Sequence, residues 1–153
     1  MSPTFFTRTL ITVAIILVVV GVLFNQSNTL SIKQSTQCNL NGANYCELTN
    51  QNTSVSVEFD QDIALEEELM LRIDLAPSLK IKQAWVQGIN MYMGKTAVIL
   101  QNINHESSKT SYHGVLFLGA CSEPDMKWQL IVQTTDANGN TKSWFFNFET
   151  HRN

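Results

Sequence analysis

The sequence predicts a mainly β protein: an antiparallel β-sandwich preceded by one N-terminal transmembrane helix. Three observations predict this fold. Apolar and polar residues alternate with a period of two in short runs that recur from residue 53 to residue 150. No apolar period of 3.6 residues competes with this alternation beyond the N-terminal segment. That segment, "LITVAIILVVVGVLF", contains neither a charged residue nor a proline, which is typical of a membrane-spanning helix.

The N-terminal apolar run extends from Leu10 to Phe24. As a helix it reaches roughly 22 Å, and the preceding Phe5 and Phe6 extend it toward the ~30 Å of a bilayer core. A cleavable signal peptide is the alternative, but no Ala-x-Ala-like site follows the run. Arg8 on the short N-terminal side predicts a cytoplasmic N-terminus. We therefore expect a cytoplasmic stub (1–8), a transmembrane anchor (9–25), a polar linker (26–37) and an exported sandwich domain (38–153).

The strands of the exported domain are predicted in chain order from their alternation. "TSVSVEFD" directs Val55, Val57 and Phe59 to one face, and "ELMLRIDLA" directs four aliphatic residues inward with Arg72 and Asp74 outward. Three further runs follow: "IKQAWVQG", "KTAVILQNI" and "SYHGVLFLGA". The last pair is "MKWQLIVQTT" and "KSWFFNFET", joined by the glycine-containing loop "DANGN", which predicts a hairpin.

Charge and motifs exclude several function classes. The net charge is −3 and the chain has no cluster of Lys or Arg, so we expect no nucleic-acid partner, because phosphate neutralisation needs grouped cations. No Gly-x-Ser-x-Gly, Cys-x-x-Cys or glycine-rich phosphate loop is present. We expect no catalytic residues and no enzymatic activity.

Three cysteines are unevenly placed along the chain. Cys38 and Cys46 bracket "NLNGANY", and seven intervening residues can close a small disulfide ring. That pairing would leave Cys121 without a second cysteine of the chain to pair with. In an oxidising compartment, an unpaired thiol needs a partner chain, a reactive role or a metal. The sequence alone leaves the pairing open.

A set of soft sulfur donors is the candidate metal site. Met91 and Met93 share a face if their backbone is extended. Cys121 and Met126 are the first and last residues of the segment "CSEPDM", which we expect to be a hairpin turn between two strands. Thiolate and thioether ligands select Cu(I) over Zn²⁺, Ca²⁺ or Mg²⁺, and His113, on the strand that leads to the turn, is an accessory candidate. The alternative is that the methionines fill gaps in the core.

Four motifs follow the N-terminal apolar run in this order: "CNLNGANYC", "GINMYMG", "GACSEPDMKW" and "FFNFET". Their order resembles that of small membrane-anchored bacterial proteins, and more loosely that of the FixH-like and YtkA-like periplasmic sandwich domains. The resemblance implies an immunoglobulin-like domain in the periplasm, on a single-pass anchor in the bacterial inner membrane. It also implies the following roles: a structural disulfide between Cys38 and Cys46, and copper ligands at Met91, Met93, Cys121 and Met126.

Two hypotheses of different classes follow. In the first, a membrane-tethered periplasmic accessory protein binds Cu(I) and delivers it to a respiratory oxidase subunit or a copper carrier protein. In the second, the sandwich is a structural or interaction domain of a membrane complex and binds no metal. The two differ in whether the Met and Cys side chains converge or only pack in the core.

Overall fold

The computed structural model describes residues 37–40, 42–50, 53–120 and 122–152. The predicted stub and anchor, and the linker up to residue 36, lie outside these residues. Within the described part of the chain, the structure has no helix with the length and apolar character needed to cross a membrane.

In the residues that the structure describes, ten strands form two five-stranded sheets, which confirms the predicted mainly β sandwich. The order in sheet A is β1-β10-β9-β5-β6 and in sheet B it is β2-β3-β4-β8-β7. All neighbouring strands are antiparallel except β1 and β10. The strands are β1 (Gln37–Asn39), β2 (Tyr45–Asn50), β3 (Thr53–Phe59), β4 (Glu68–Leu75), β5 (Lys80–Gly88), β6 (Lys95–Ala97), β7 (Ile99–His105), β8 (Thr110–Phe117), β9 (Asp125–Thr135) and β10 (Thr141–His151).

The core lies between the sheets and is built by the predicted alternation. On β3 the inward residues Val55, Val57 and Phe59 are at most 2% exposed. On β9 and β10 the aromatic side chains supply much of the buried volume, and Trp144 Nε1 donates a hydrogen bond to Thr134 Oγ1 at 2.9 Å. Such a bond satisfies the polar end of a buried indole. The remaining large, fully buried side chains are Leu40, Leu69, Leu71, Ile73, Leu75, Leu116, Leu118, Met126, Phe146 and Phe148.

Charged side chains on the outer face of sheet B form a small ion-pair network. Arg72 pairs with Glu58 and with Asp74, and Lys109 Nζ lies 3.0 Å from Asp74 Oδ2. Burial alone would raise the pKa of Asp74, but the Ser111 hydrogen bond and the charges of Lys109 and Arg72 outweigh it. The pKa of this carboxyl is therefore held below its ordinary value of 3.8.

The run predicted as one strand, "KTAVILQNI", divides at Val98 into β6 of sheet A and β7 of sheet B. Val98 is buried, and its amide donates a hydrogen bond to the Ala84 carbonyl at 2.9 Å. Gly114 on β8 makes room for it, since a Cβ there would lie 2.7 Å from Val98 Cγ1. The chain therefore changes sheets at this point with only one residue between the two strands.

The connection between β8 and β9 also differs from the hairpin turn predicted for it. Strand β8 belongs to sheet B and β9 to sheet A, so the segment between Phe117 and Asp125 crosses between the sheets and is not a hairpin turn. The prediction failed because two successive strands with a short, turn-rich connection have the same sequence pattern in both arrangements.

A disulfide links the first strands of the two sheets. Cys38 on β1 and Cys46 on β2 are paired, with their Cα atoms 6.2 Å apart, as the resemblance implies. Strand β1 runs parallel to β10, with Gln37 opposite Phe145. The pair therefore ties together the edges of two sheets that have no hydrogen-bonded ladder between them.

Candidate functional site

The predicted methionine donors lie at one end of the sandwich. Strand β5 ends at Gly88, which pairs with Trp128 of β9. Residues 89–94, here called the Met loop, follow directly, and the Ile89 amide donates a hydrogen bond to the Lys127 carbonyl at 2.8 Å. The Met loop therefore leaves the sheet beside the first residues of β9, where Met126 is located.

Asn90 attaches the Met loop to β9 with both ends of its side-chain amide. Its Nδ2 donates to the Asp125 carbonyl at 2.7 Å, and its Oδ1 accepts from the Lys127 amide at 2.9 Å. These two backbone groups flank Met126 in the sequence. One side chain thus replaces the ladder hydrogen bonds that the strand would make here, and it holds the loop against Met126.

Gly88 leaves space for the Met loop because it has no Cβ atom. A Cβ atom at this position would overlap the carbonyl oxygen of Met91 and lie 3.1 Å from Met126 Cε. The end of the Met126 side chain and the backbone of Met91 are therefore neighbours on the same side of Gly88. Met126 itself is fully buried, at 0% exposure.

Met91 and Met93 both lie half-buried against the core, whereas Tyr92 between them is 92% exposed. The loop is not a strand, so the condition under which the two methionines would share a strand face is not met, yet both pack against the core. The loop ends at Gly94, whose φ of +72° is a conformation that glycine adopts without steric cost. This residue directs the chain into β6.

The first residues of β9 are held on their other side by β10. Asp125 Oδ1 lies 2.7 Å from His151 Nδ1, and the Arg152 amide donates to the Pro124 carbonyl at 2.9 Å. Trp128 Nε1 donates to Thr150 Oγ1 at 2.9 Å in the core below. The backbone around Met126 is thus fixed by the Met loop on one side and by β10 on the other.

The other two predicted site residues are not brought to the methionines in the described structure. His113 is exposed on the outer face of sheet B, opposite Arg72 in the register, while Met126 faces the core from sheet A. Cys121 lies outside the described residues, so its role as a ligand stays a prediction. Among the residues that the structure describes, no three His, Cys, Asp or Glu side chains are grouped to hold a metal ion.

Sequence reasoning found the methionines but missed Asn90 and Gly88, the residues that position them. The signal was present in "QGINMYMG", because Gly and Asn beside a predicted strand end are typical of a structured loop. The sequence pattern could not show that these two residues contact β9.

No family model matches the chain, and no curated protein and no solved structure matches it significantly. The likeness to FixH-like and YtkA-like domains therefore stays a prediction from the motifs.

Proposed function

We propose that this protein is a membrane-tethered periplasmic accessory protein that holds Cu(I) at the Met-loop end of its sandwich. It passes the ion to a respiratory oxidase subunit or a copper carrier protein. One observation carries the proposal: Asn90 bonds to the backbone on both sides of Met126, so the loop that bears Met91 and Met93 lies against a third thioether.

The donor chemistry supports a soft monovalent ion. Thioether sulfurs are neutral and polarisable, and they favour Cu(I) over harder divalent ions. Cys121, once the Cys38–Cys46 pair is formed, is the remaining cysteine of three and would supply the thiolate. Because Met126 is buried, an ion would reach it only if the Met loop moved away from β9. Delivery would then be ligand exchange, with no change of oxidation state.

The strand order supports the finer proposal of an immunoglobulin-like domain. When β3 to β10 are assigned in chain order to strands A, B, C, C′, D, E, F and G, sheet B contains A-B-E-D. Sheet A contains G-F-C with C′ at its edge. This is the partition of strands that characterises the immunoglobulin sandwich. Strands β1 and β2 are additions at the edges.

The test is a Cu(I) titration of the full-length protein in detergent micelles, without oxygen, against a chromogenic chelator. We expect Met91→Leu with Met126→Leu to weaken Cu(I) binding by at least about tenfold, because two of the soft ligands are removed. Met70→Leu is the matched control, since Met70 is 53% exposed on the outer face of the other sheet. Unchanged affinity in a Cys121→Ser, Met126→Leu protein would reject the proposal.

A second candidate function, an interaction domain without metal, is favoured by two observations. Met126 belongs to the main core cluster, where a methionine needs no ligand role. The outer face of sheet B also has an apolar row in which Met70 and Ile99 both pair with Val115. Under this alternative, Met126→Leu costs less than about 1.5 kcal/mol and leaves the cellular function intact, whereas Met70→Asp abolishes it.

A further inference from the structure

Strand β7 is an exposed edge of sheet B. It is bonded to β8 on one side, and none of the described residues forms a ladder with its other side. The strand reads "ILQNINH" and contains no Asp, Glu, Lys, Arg or proline. Soluble proteins usually protect such an edge with Lys, proline, a bulge or a covering segment, because its free N–H and C=O groups accept another strand. Of these devices, β7 has only the irregularity between Leu100 and Ile103 among the described residues.

The side chains of β7 add apolar surface to these backbone groups. Ile99 is 65% exposed and Ile103 is 55% exposed. The register shifts between Leu100 and Ile103, so that Ile103 lies opposite Tyr112. The neighbour of β7 in sheet A is β6, which is only three residues long. We attribute the exposure of Ile103 to this short length, because β6 covers little of β7.

The charge on this side of the sandwich is opposite in sign to that of the chain. Between Asp74 and Glu106, residues 75–105 include no acid and three lysines, in a protein whose net charge is −3. These lysines, Lys80, Lys82 and Lys95, are exposed and lie on β5 and β6, the strands at the same lateral side of sheet A as β7 is of sheet B. Lys80 and Lys95 belong to the outer face of sheet A, and Lys95 Nζ lies over the Trp85 ring. The nearby Lys109 already pairs with Asp74.

We propose that the β7 edge binds an extended, acidic segment of a partner polypeptide, which adds to sheet B as a sixth strand. Backbone hydrogen bonds to β7 provide the affinity, as in other cases of strand addition. Aliphatic side chains of the partner cover Ile99 and Ile103, and the positive charge of the lysines on β5 and β6 attracts its carboxylates, which gives the choice of partner. A second copy of this chain is the less suitable occupant, because pairing β7 with itself brings two lysine-bearing sides together.

The experiment is a selection from a random twelve-residue peptide library displayed on phage, against the full-length protein in detergent micelles. Selected peptides are synthesised and their affinities measured by fluorescence anisotropy. We expect enrichment in Asp, Glu and β-branched residues and depletion of proline, and at least about tenfold weaker binding to Ile103→Asp. Thr49→Asp is the matched control, because it places the same charge at an exposed position of β2, the opposite edge of sheet B.

Reversing the charge of the lysines tests the preference for acidic peptides separately from strand addition to β7. A Lys80→Glu, Lys82→Glu protein should select basic peptides in place of acidic ones while keeping the β-branched preference. No enrichment, proline-rich or basic peptides on the wild-type protein, or equal losses in Ile103→Asp and Thr49→Asp would overturn the proposal. A concentration-dependent dimer in sedimentation experiments that Ile103→Asp abolishes would also overturn it, since the occupant is then a second copy. None of these outcomes depends on copper binding.

Discussion

Replacing Gly88 by alanine tests the geometry of the Met-loop end directly. The new methyl group would overlap the Met91 carbonyl oxygen and lie 3.1 Å from Met126 Cε. A methionine methyl can move by rotation, but a backbone carbonyl moves only if the loop moves with it. Because Asn90 and the Ile89 amide hold that loop to β9, the substitution must break some of these bonds or displace the strand.

The expected cost follows from these contacts. Overpacking in a well-packed site costs about 1–3 kcal/mol, and a steric clash with backbone belongs in the upper half of that range. We therefore expect Gly88→Ala to lower the free energy of unfolding by about 2–3 kcal/mol. With a urea m-value of about 2 kcal/mol/M, the midpoint falls by about 1–1.5 M. The assay is urea unfolding of the full-length protein in non-ionic detergent, followed by the fluorescence of the buried Trp128 and Trp144.

The matched control is Gly119→Ala. A Cβ at Gly119 meets no atom within 4 Å, and its φ is not in the left-handed region, so we expect a change within about 0.5 kcal/mol. If both variants unfold at the wild-type midpoint, the Met loop does not lie against Gly88 and the packing described for Met126 is wrong. If both lose stability equally, the effect comes from glycine replacement in general.

The other predictions concern three features. Asn90→Ala removes two hydrogen bonds and should cost about 1–2 kcal/mol, with faster amide exchange at Lys127; unchanged exchange there contradicts the bridging role. Serine at both Cys38 and Cys46 should cost about 2–3 kcal/mol on the loop-entropy model, and peptide mapping of the oxidised protein should recover these two residues joined. Because the pKa of Asp74 is depressed in the folded state, its stabilising contribution is complete above the ordinary value of 3.8 and is lost as the pH falls through the folded pKa. Asp74→Asn should therefore make stability less dependent on pH in that acidic range, and an unchanged pH profile refutes the assignment.

The strands of the fold were predictable wherever one face of a strand is buried and the other is exposed to solvent. "ELMLRIDLA" predicted the inward and outward residues of β4 correctly, since alternation records burial directly. The same local signal could not show that "KTAVILQNI" changes sheets at Val98, because both halves keep an extended backbone. It also gave no sign of β1, whose three residues are fixed by pairing with β10 and by a disulfide.

The candidate site was predictable as a set of residue types but not as an arrangement. Met91 and Met93 both pack against the core, although they lie in a loop and not in the strand on which their spacing would place them on one face. The full burial of Met126 depends on how β9 packs under the Met loop, and the position of His113 depends on which sheet β8 joins. Both are contacts between segments far apart in sequence, which a single sequence read locally does not encode.

The disulfide between Cys38 and Cys46 has a mechanical consequence. A pull on the chain that precedes Gln37 reaches Cys38 and then has two covalent routes into the domain. The shorter route crosses the sulfur atoms to Cys46 and continues into β2, so the intervening residues 39–45 carry little tension. Force enters both sheets at once, through the parallel β1–β10 ladder and through β2. With this one bond reduced, a load would reach β2 only through the loop between the two cysteines, and only after β1 had separated from β10.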